Sequence, residues 1–421
     1  MTRGGDCDEL LCVVRYGLEI LAPFRDKTYG KEDIVVLPQL FEFYVRPRIL
    51  YGPDSVREIG FETGKLGGSC AVIVTDKVLR EAGLVQRVID GLEGSGVTLG
   101  GIFDDVPPNS EVQVVEHGAD FARAAGCDLL IALGGGSVMD TAKGMNVLLS
   151  EGGSLLDYEG AGLLTRPLRP LIAIPTTAGT GSEVTIAAVI RDEAQGLKLE
   201  FNSPFMMPDL AILDPELTVS LPPGLTAATG MDALTHAIES VISTGAQPLS
   251  DALAFGAIRL IAANLRQAVQ HGDDLEARGN MLLAANMAGI AFSNALLGIV
   301  HAMAHPCGGR YGVPHGIANS ILLPYGMEYN LPACADRLAE VAAGLGVDTA
   351  GMDVETAAAA GIAAVRQLAA DCGLPARLSE VGVPREGLAQ MAEDSQGDAM
   401  MMTNPVYAGE EEVLALYEAA Y

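Results

Sequence analysis

Six histidines occur in the 421 residues, and their placement is uneven. Two close the segment His301-Ala-Met-Ala-His305, a third follows in Pro314-His315-Gly316, and a fourth ends Asp232-Ala-Leu-Thr-His236. Residues four apart on a helix share a face, so Asp232 with His236, and His301 with His305, can each aim two side chains at one point. A single pair of this kind is more often a helix-stabilising hydrogen bond than a ligand pair. Two pairs and His315 in an apolar, histidine-poor stretch shift the balance. Carboxylate with imidazole suits Fe²⁺ or Zn²⁺, so a divalent metal site is expected. His117 and His271 sit among polar neighbours and read as surface residues.

A second chemistry is carried by glycine. Leu129-Leu-Ile-Ala-Leu133 reads as a buried strand and runs into Gly134-Gly-Gly-Ser137 ahead of a helical pattern over 138–149. N–H groups at a helix start carry partial positive charge, and glycines let a diphosphate approach them closely. The run is not the G-x-G-x-x-G fingerprint, because Met139 stands where the last glycine belongs. A tight strand-to-helix turn would give the same pattern. The loop Pro175-Thr-Thr-Ala-Gly-Thr-Gly-Ser182 also follows a strand, and its hydroxyls and N–H groups could hold phosphate or ribose oxygens. Asp76, just beyond the strand at 71–74, could accept from a ribose diol and would repel a 2′-phosphate, which favours NAD over NADP. An aspartate there is also a common turn former or helix cap.

Such residues need elements to hold them. Short apolar runs at 71–74, 97–103, 129–133, 171–174 and 210–213 alternate with helical patterns at 110–125 and 138–149, the order of a parallel sheet covered by helices. Segments 184–191 and 197–201 flank the polar turn 192–196 and read as a hairpin. Beyond Asp214-Pro215, Ala, Leu and Met dominate and the period becomes helical to the end. The expected fold is an α/β dinucleotide-binding domain over 41–215, Rossmann-like with a hairpin, followed by an all-helical metal-binding domain over 216–421. Residues 1–40 form an extension, with helix-like spacing at 10–21 and a turn-rich connection at 24–30.

Composition narrows the partners. The balance of 26 basic and 54 acidic residues gives a formal charge of −28, which repels nucleic acid and anionic membrane. Seven cysteines without a C-x-x-C pair make no disulfide framework and fit reduced thiols in a cytoplasm. No uninterrupted apolar run reaches membrane-span length, and the first 30 residues lack the pattern of a signal peptide.

Taken together, Gly134-Gly-Gly-Ser-Val-Met-Asp140, Pro175-Thr-Thr-Ala-Gly-Thr-Gly-Ser-Glu-Val-Thr185, Gly230-Met-Asp-Ala-Leu-Thr-His-Ala-Ile-Glu239, and His301 through His315-Gly316 resemble the iron-containing (group III) alcohol dehydrogenase family. The likeness spans about 41–421. It implies a dehydroquinate synthase-like, iron-alcohol-dehydrogenase fold with cofactor and metal meeting in a cleft between two domains. It implies Asp232, His236, His301 and His315 as ligands of Fe(II) or Zn(II), with His305 beside the nicotinamide but outside the ligand set; the catalytic proton relay is then expected from His305 or from the nicotinamide ribose. Cofactor contacts transfer to Asp76, Asn109, Gly134, Gly135, Gly136, Ser137, Asp140, Thr176, Thr177, Ser182 and Lys198. Ile186, Phe292 and Leu297 are expected to line an apolar substrate pocket. The expected reaction is NAD(H)-dependent interconversion of a primary alcohol and its aldehyde, with the metal as Lewis acid. The expected assembly is a homo-oligomer. A lyase or cyclase of the dehydroquinate synthase type is the competing reading; it would need Lys and Arg around the metal, where this sequence has mostly Ala, Leu, Met and Gly. A non-catalytic nucleotide-binding platform is a third.

Overall fold

The computed structural model describes residues 40–193 and 197–421. The expected helix at 10–21, the connection at 24–30 and most of the hairpin turn lie outside the described residues.

Six strands form one parallel sheet: β1 (Arg48–Tyr51), β2 (Cys70–Val74), β3 (Thr98–Phe103), β4 (Leu129–Gly134), β6 (Leu171–Pro175) and β9 (Leu210–Leu213). Their spatial order is β1-β9-β6-β4-β2-β3. The central strands are apolar along their length because both faces are covered; Leu129 to Leu133 are all fully buried. Helices α1 (Ile59–Lys65), α2 (Lys77–Glu81), α3 (Leu84–Leu92), α4 (Val112–Ala124) and α5 (Gly136–Ser150) connect the strands. From β2 the chain moves outward to β3, then returns to place β4 on the other side of β2 and continues through β6 to β9. The order therefore reverses between β2 and β4, and ligands bind in such sheets at the carboxyl ends of the strands flanking that reversal. Those two ends lead to Asp76 and to Gly134–Ser137.

A smaller sheet joins β5 (Gly160–Ala161), β8 (Leu197–Asn202) and β7 (Ala187–Asp192) in that order. The hairpin expected from the sequence is the antiparallel pair β7–β8, which starts at Ala187 rather than 184 because Ser182–Val184 turn as a short 3₁₀ segment.

From Pro223 onward the described residues contain no strand. Helices α6 (Pro223–Ile242), α7 (Pro248–Gln270), α8 (Leu275–Ala295), α9 (Ile299–Tyr311), α10 (His315–Gly344), α11 (Val354–Asp371), α12 (Leu388–Ser395) and α13 (Glu410–Ala420) enclose one core. Helix α6 is its axis, with Met231, Leu234, Ile238 and Val241 all buried. Helix α7 is long and apolar enough by composition to cross a membrane. Its Ala254, Ala257, Ile258, Ile261 and Leu265 instead belong to the helical core.

The two regions meet where the Thr176–Ser182 loop lies on α8. Gly181, at φ 62°, approaches Gly289 so closely that a Cβ on it would stand 2.7 Å from the Gly289 Cα. Beside this contact the Asn286 amide donates to the buried Glu183 carboxylate at 2.9 Å.

Candidate metal centre and cofactor cleft

Asp232 and His236 project from α6 one turn apart, His301 from the first turn of α9, and His315 from the first residue of α10. Their ligand atoms all lie within 4.8 Å of one another. The His236 and His301 rings stack at 4.6 Å, and His315 Nε2 is 3.6 Å from Asp232 Oδ1. Burial lowers the pKa of His236 and holds His301 and His315 well below the ordinary histidine range, with neighbouring imidazoles adding to the effect at His301 and His315. Neutral imidazole is the form that binds a metal.

Three residues not singled out from the sequence hold this group in place. Glu239 accepts the Val300 N–H at 2.8 Å through one carboxylate oxygen, and its other oxygen is 2.5 Å from His301 Nδ1. Burial pushes the Glu239 carboxyl up to about 8, against the pull of backbone N–H groups at Val300, His301 and Gly298. Asn404 accepts the neighbouring Ile299 N–H at 3.1 Å, so the first turn of α9 is capped by two distant side chains. Gly298 leaves room for them: a Cβ there would lie 2.8 Å from Asn404 Oδ1. Asn319, one turn beyond His315, places its amide nitrogen 2.7 Å from Asp232 Oδ1 and 3.1 Å from both His301 Nε2 and His315 Nε2.

The donor set fits a divalent cation. Four acceptor-capable groups are gathered with no Lys or Arg hydrogen-bonded to them, and His236 Nδ1 and Asn319 Oδ1 are buried without a hydrogen-bond partner among the described residues. Such atoms are costly to bury unless something polar joins them.

His305 faces a second group. Its Nδ1 is 2.6 Å from Asp398 Oδ2, and Glu200 of β8 completes a cluster within 4.8 Å. Asp398 also caps the following 3₁₀ turn by accepting from the Met400 N–H at 2.9 Å. Burial raises the Asp398 pKa, but its bonds to His305 outweigh that and hold it below the usual carboxylate value; burial raises Glu200. An ionised Asp398 can only accept, so the proton sits on His305 Nδ1 and leaves Nε2 free.

The two glycine-bearing loops pack on each other. A Cβ on Gly136 would lie 2.8 Å from Thr180 Cγ2, and one on Gly135 3.3 Å from Thr177. Helix α5 begins at Gly136, and Ser137 Oγ donates to the Pro108 carbonyl at 2.5 Å. Asp140 accepts from Ser182 Oγ at 2.9 Å and from the Val189 N–H at 3.1 Å. Beneath them Lys143, fully buried, donates to Ser182 Oγ, Thr185 Oγ1 and the carbonyls of Thr185 and Ala187. Burial lowers this lysine to about 8, against the pull of Asp140 and Glu183. Gly134, Thr176, Thr177, Ser182 and Asp140 thus belong to one surface. Asp76 stands apart at the end of β2, capping α2 by accepting from the Leu79 N–H at 2.9 Å. Phe292 stacks on the His236 ring at 4.5 Å, Leu297 is buried nearby in sequence, and Ile186 lies half-buried ahead of β7. Asn109 and Lys198 line one cavity with Gly308 and Arg310 of α9.

Residues 47–215 match the family described as iron-containing alcohol dehydrogenase, and residues 226–421 match the C-terminal part of the Fe-containing alcohol dehydrogenase family. The chain belongs to the iron-containing alcohol dehydrogenase family. Within it, 1,3-propanediol dehydrogenase of Klebsiella pneumoniae is 42% identical over 385 residues, 91% of this chain and 99% of that protein. NAD-dependent methanol dehydrogenase of Bacillus methanolicus is 38% identical over 378 residues, covering 90% and 99%. The crystal structure of a 1,3-propanediol oxidoreductase superposes with a TM-score of 0.89 at 42% identity, covering 91% of this chain and 100% of that one.

Proposed function

We propose that this chain interconverts a primary alcohol and its aldehyde with NAD(H), using Asp232, His236, His301 and His315 to hold a divalent metal, Fe²⁺ ahead of Zn²⁺. The observation that carries the reading is the convergence of those four donors from three helices within 4.8 Å, beside His305. Bound in this cleft, the metal supplies a Lewis acid for the substrate oxygen and NAD supplies the hydride acceptor.

The chain's own residues do the rest. With a divalent cation on His301, the added positive charge would favour ionised Glu239, which then accepts from His301 Nδ1 and leaves the Nε2 lone pair facing the centre. Phe292 stacked on His236, with Leu297 and Ile186, is assigned to an apolar wall that favours an alkyl chain over water. Asp398 orients His305, whose Nε2 accepts the hydroxyl proton during oxidation and returns it during reduction. Gly134, Gly135, Gly136 and Ser137 present the α5 N-terminus to the cofactor diphosphate, and Thr176, Thr177, Ser182 and Asp140 flank it. Asp76, its second oxygen free of the helix cap, is assigned to the adenosine ribose, with Asn109 nearby. The names of the two relatives, one acting on 1,3-propanediol and one on methanol, support small primary alcohols. The lyase alternative is not favoured.

We assign two working domains divided near residue 215, with 1–40 as an added segment, acting in the cytoplasm as a homo-oligomer. Free thiols at Cys70, Cys127, Cys307, Cys334 and Cys372 support a reducing compartment. Exposed Phe41, Tyr44, Val45, Ile49 and Tyr51 on and before edge strand β1 support contact with another subunit.

The test is NADH formation from a panel of primary alcohols and diols by chelator-stripped protein reloaded with Fe²⁺ or Zn²⁺, beside a His301→Ala variant. Activity that needs metal and is lost in the variant supports the assignment. Full turnover by verified metal-free protein removes the Lewis-acid role.

A further inference from the structure

Arg191 and Lys198 are direct partners across the β7–β8 hairpin. Like charges placed opposite one another on an antiparallel pair are unfavourable unless something negative joins them. A third cation, Arg310, reaches the same place from the last turn of α9, and the three line a cavity of about 180 Å³ together with Asn109. Arg310 is ion-paired with Asp394, and Arg191 lies 3.8 Å from Glu193 and also interacts electrostatically with Glu111. The Lys198 ammonium is half-buried in the cavity wall. Burial depresses its pKa, Asp140 and Asp232 pull it back up, and Arg191 pushes it down again.

The cavity is shaped for close approach. A Cβ on Gly308 would lie 3.7 Å from Lys198 Nζ, and one on Gly309 or Gly312 would meet nothing within 4 Å. A ligand can therefore lie against bare backbone at the end of α9. The carbonyls of Cys307 and Gly308 at this helix end already accept from the Val313 and Gly312 N–H groups, so they do not face the cavity as open acceptors. On the opposite wall, the Arg191 N–H donates to the Ser110 carbonyl at 2.8 Å, and the neighbouring Pro108 carbonyl holds Ser137 of the glycine loop. The cavity thus spans from Asn109, next to the residue whose carbonyl holds Ser137, to Gly308, Gly309 and Gly312 at the end of α9. A dinucleotide that reaches both places must carry its diphosphate past these cations. The chain's charge of −28 repels that dianion at long range, so a local positive cleft is what lets it enter.

We propose that Arg191, Lys198 and Arg310 form an oxyanion clamp that closes on the cofactor diphosphate from both regions of the chain. Arg191 and Lys198 act from the hairpin of the α/β region, and Arg310 acts from the helical region. The clamp rests on the dinucleotide reading of the glycine loop, but it adds two arginines that neither the loop nor the family motifs require. Arg310 exchanges or shares its Asp394 partner with phosphate, which couples cofactor binding to the seating of α9, the helix that carries His301 and His305.

The experiment is calorimetric titration of full-length, metal-loaded protein with NADH, ADP-ribose and adenosine, comparing wild type with Arg191→Gln, Arg310→Gln and the double variant. Circular dichroism and metal content check that each variant is folded and loaded. Each single change is expected to raise the Kd of NADH and ADP-ribose by about five- to tenfold at low salt. Adenosine binding should stay as in wild type, the salt dependence of NADH binding should flatten in the double variant, and Arg191→Lys with Arg310→Lys should restore most of the affinity. A folded double variant that binds NADH and ADP-ribose like wild type overturns the clamp. Inorganic phosphate that binds NADH-saturated wild type but not the double variant also overturns it, by showing that the cations serve a separate anion. Wild type that binds adenosine nucleotides in no form overturns the dinucleotide reading and the clamp together.

Discussion

Glu239 links two tasks through one carboxylate, capping the α9 backbone with one oxygen and fixing the His301 tautomer with the other. Replacing it with Gln keeps the shape but leaves a weaker acceptor for the histidine proton. Glu239→Gln is expected to lower metal affinity by about 10- to 100-fold, measured by competition with a chelating dye, while the fold persists. Asp398 has the same relation to His305, and the contrast between the two is informative: Asp398→Asn should leave metal content unchanged and lower kcat with little change in KM for the alcohol, because only the proton carrier is disturbed. Loss of metal from the Asp398→Asn protein would show that His305 belongs to the ligand group. At Asp76, removal of the carboxylate also removes repulsion toward a 2′-phosphate. Asp76→Gly is expected to reduce the preference for NAD over NADP by about tenfold or more in kcat/KM.

The elements are set by close backbone contacts as much as by side chains. Gly316, in the first turn of α10, lies against α6 so tightly that a Cβ would stand 2.2 Å from the Ala228 carbonyl and 3.3 Å from the Asp232 Cβ. This contact sets the distance between His315 and Asp232. Gly316→Ala should push the two helices apart and impair metal retention, read by elemental analysis of the purified protein, even though alanine favours a helix. The Gly181–Gly289 contact plays the same part between the second loop and α8. Lys143 serves the loops from below: its four hydrogen bonds tie α5 to Ser182, Thr185 and β7 in a fully buried site. Lys143→Met would leave Ser182, Thr185 and Ala187 without that donor and Asp140 without its neighbouring cation, and is expected to destabilise the protein by about 3–5 kcal/mol, measured by denaturant unfolding. An unchanged midpoint would show that Asp140 takes up a proton and the loops re-pair without the lysine.

At the scale of the whole molecule, the proposed metal ties α6, α9 and α10 together inside the helical core, whereas the proposed cofactor site bridges that core to the sheet. A ligand that binds only the folded state stabilises it by about 4 kcal/mol when present at a thousandfold over its Kd. Metal-stripped protein should therefore melt at a lower temperature than reloaded protein, with the helical region losing its structure first in hydrogen exchange. Identical melting with and without Fe²⁺ would place the four side chains outside metal binding.

Much of this was readable in the chain because the relevant signals are local. The strand, glycine loop and helix at 129–149 follow one another without interruption, and buried parallel strands are apolar on both faces. The pairs Asp232/His236 and His301/His305 obey the period of a helix, and by the same rule Glu239 and Asn319 stood within reach of discovery, one turn beyond His236 and His315. Asp398 and Glu200 gave no such signal, since they lie far from His305 in sequence: Asp398 meets it through packing within the helical region, and Glu200 only when the hairpin packs against that region. The like-charged pair Arg191 and Lys198 is similar: seven residues apart, it becomes an opposed pair only through the hairpin register, and Arg310 joins it only through the seating of α9. Periodicity and turn chemistry determine which residues share a face. Which faces then meet depends on close packing between distant backbones, at Gly181 against Gly289 and Gly316 against Ala228, where the absence of a side chain is the deciding physical fact.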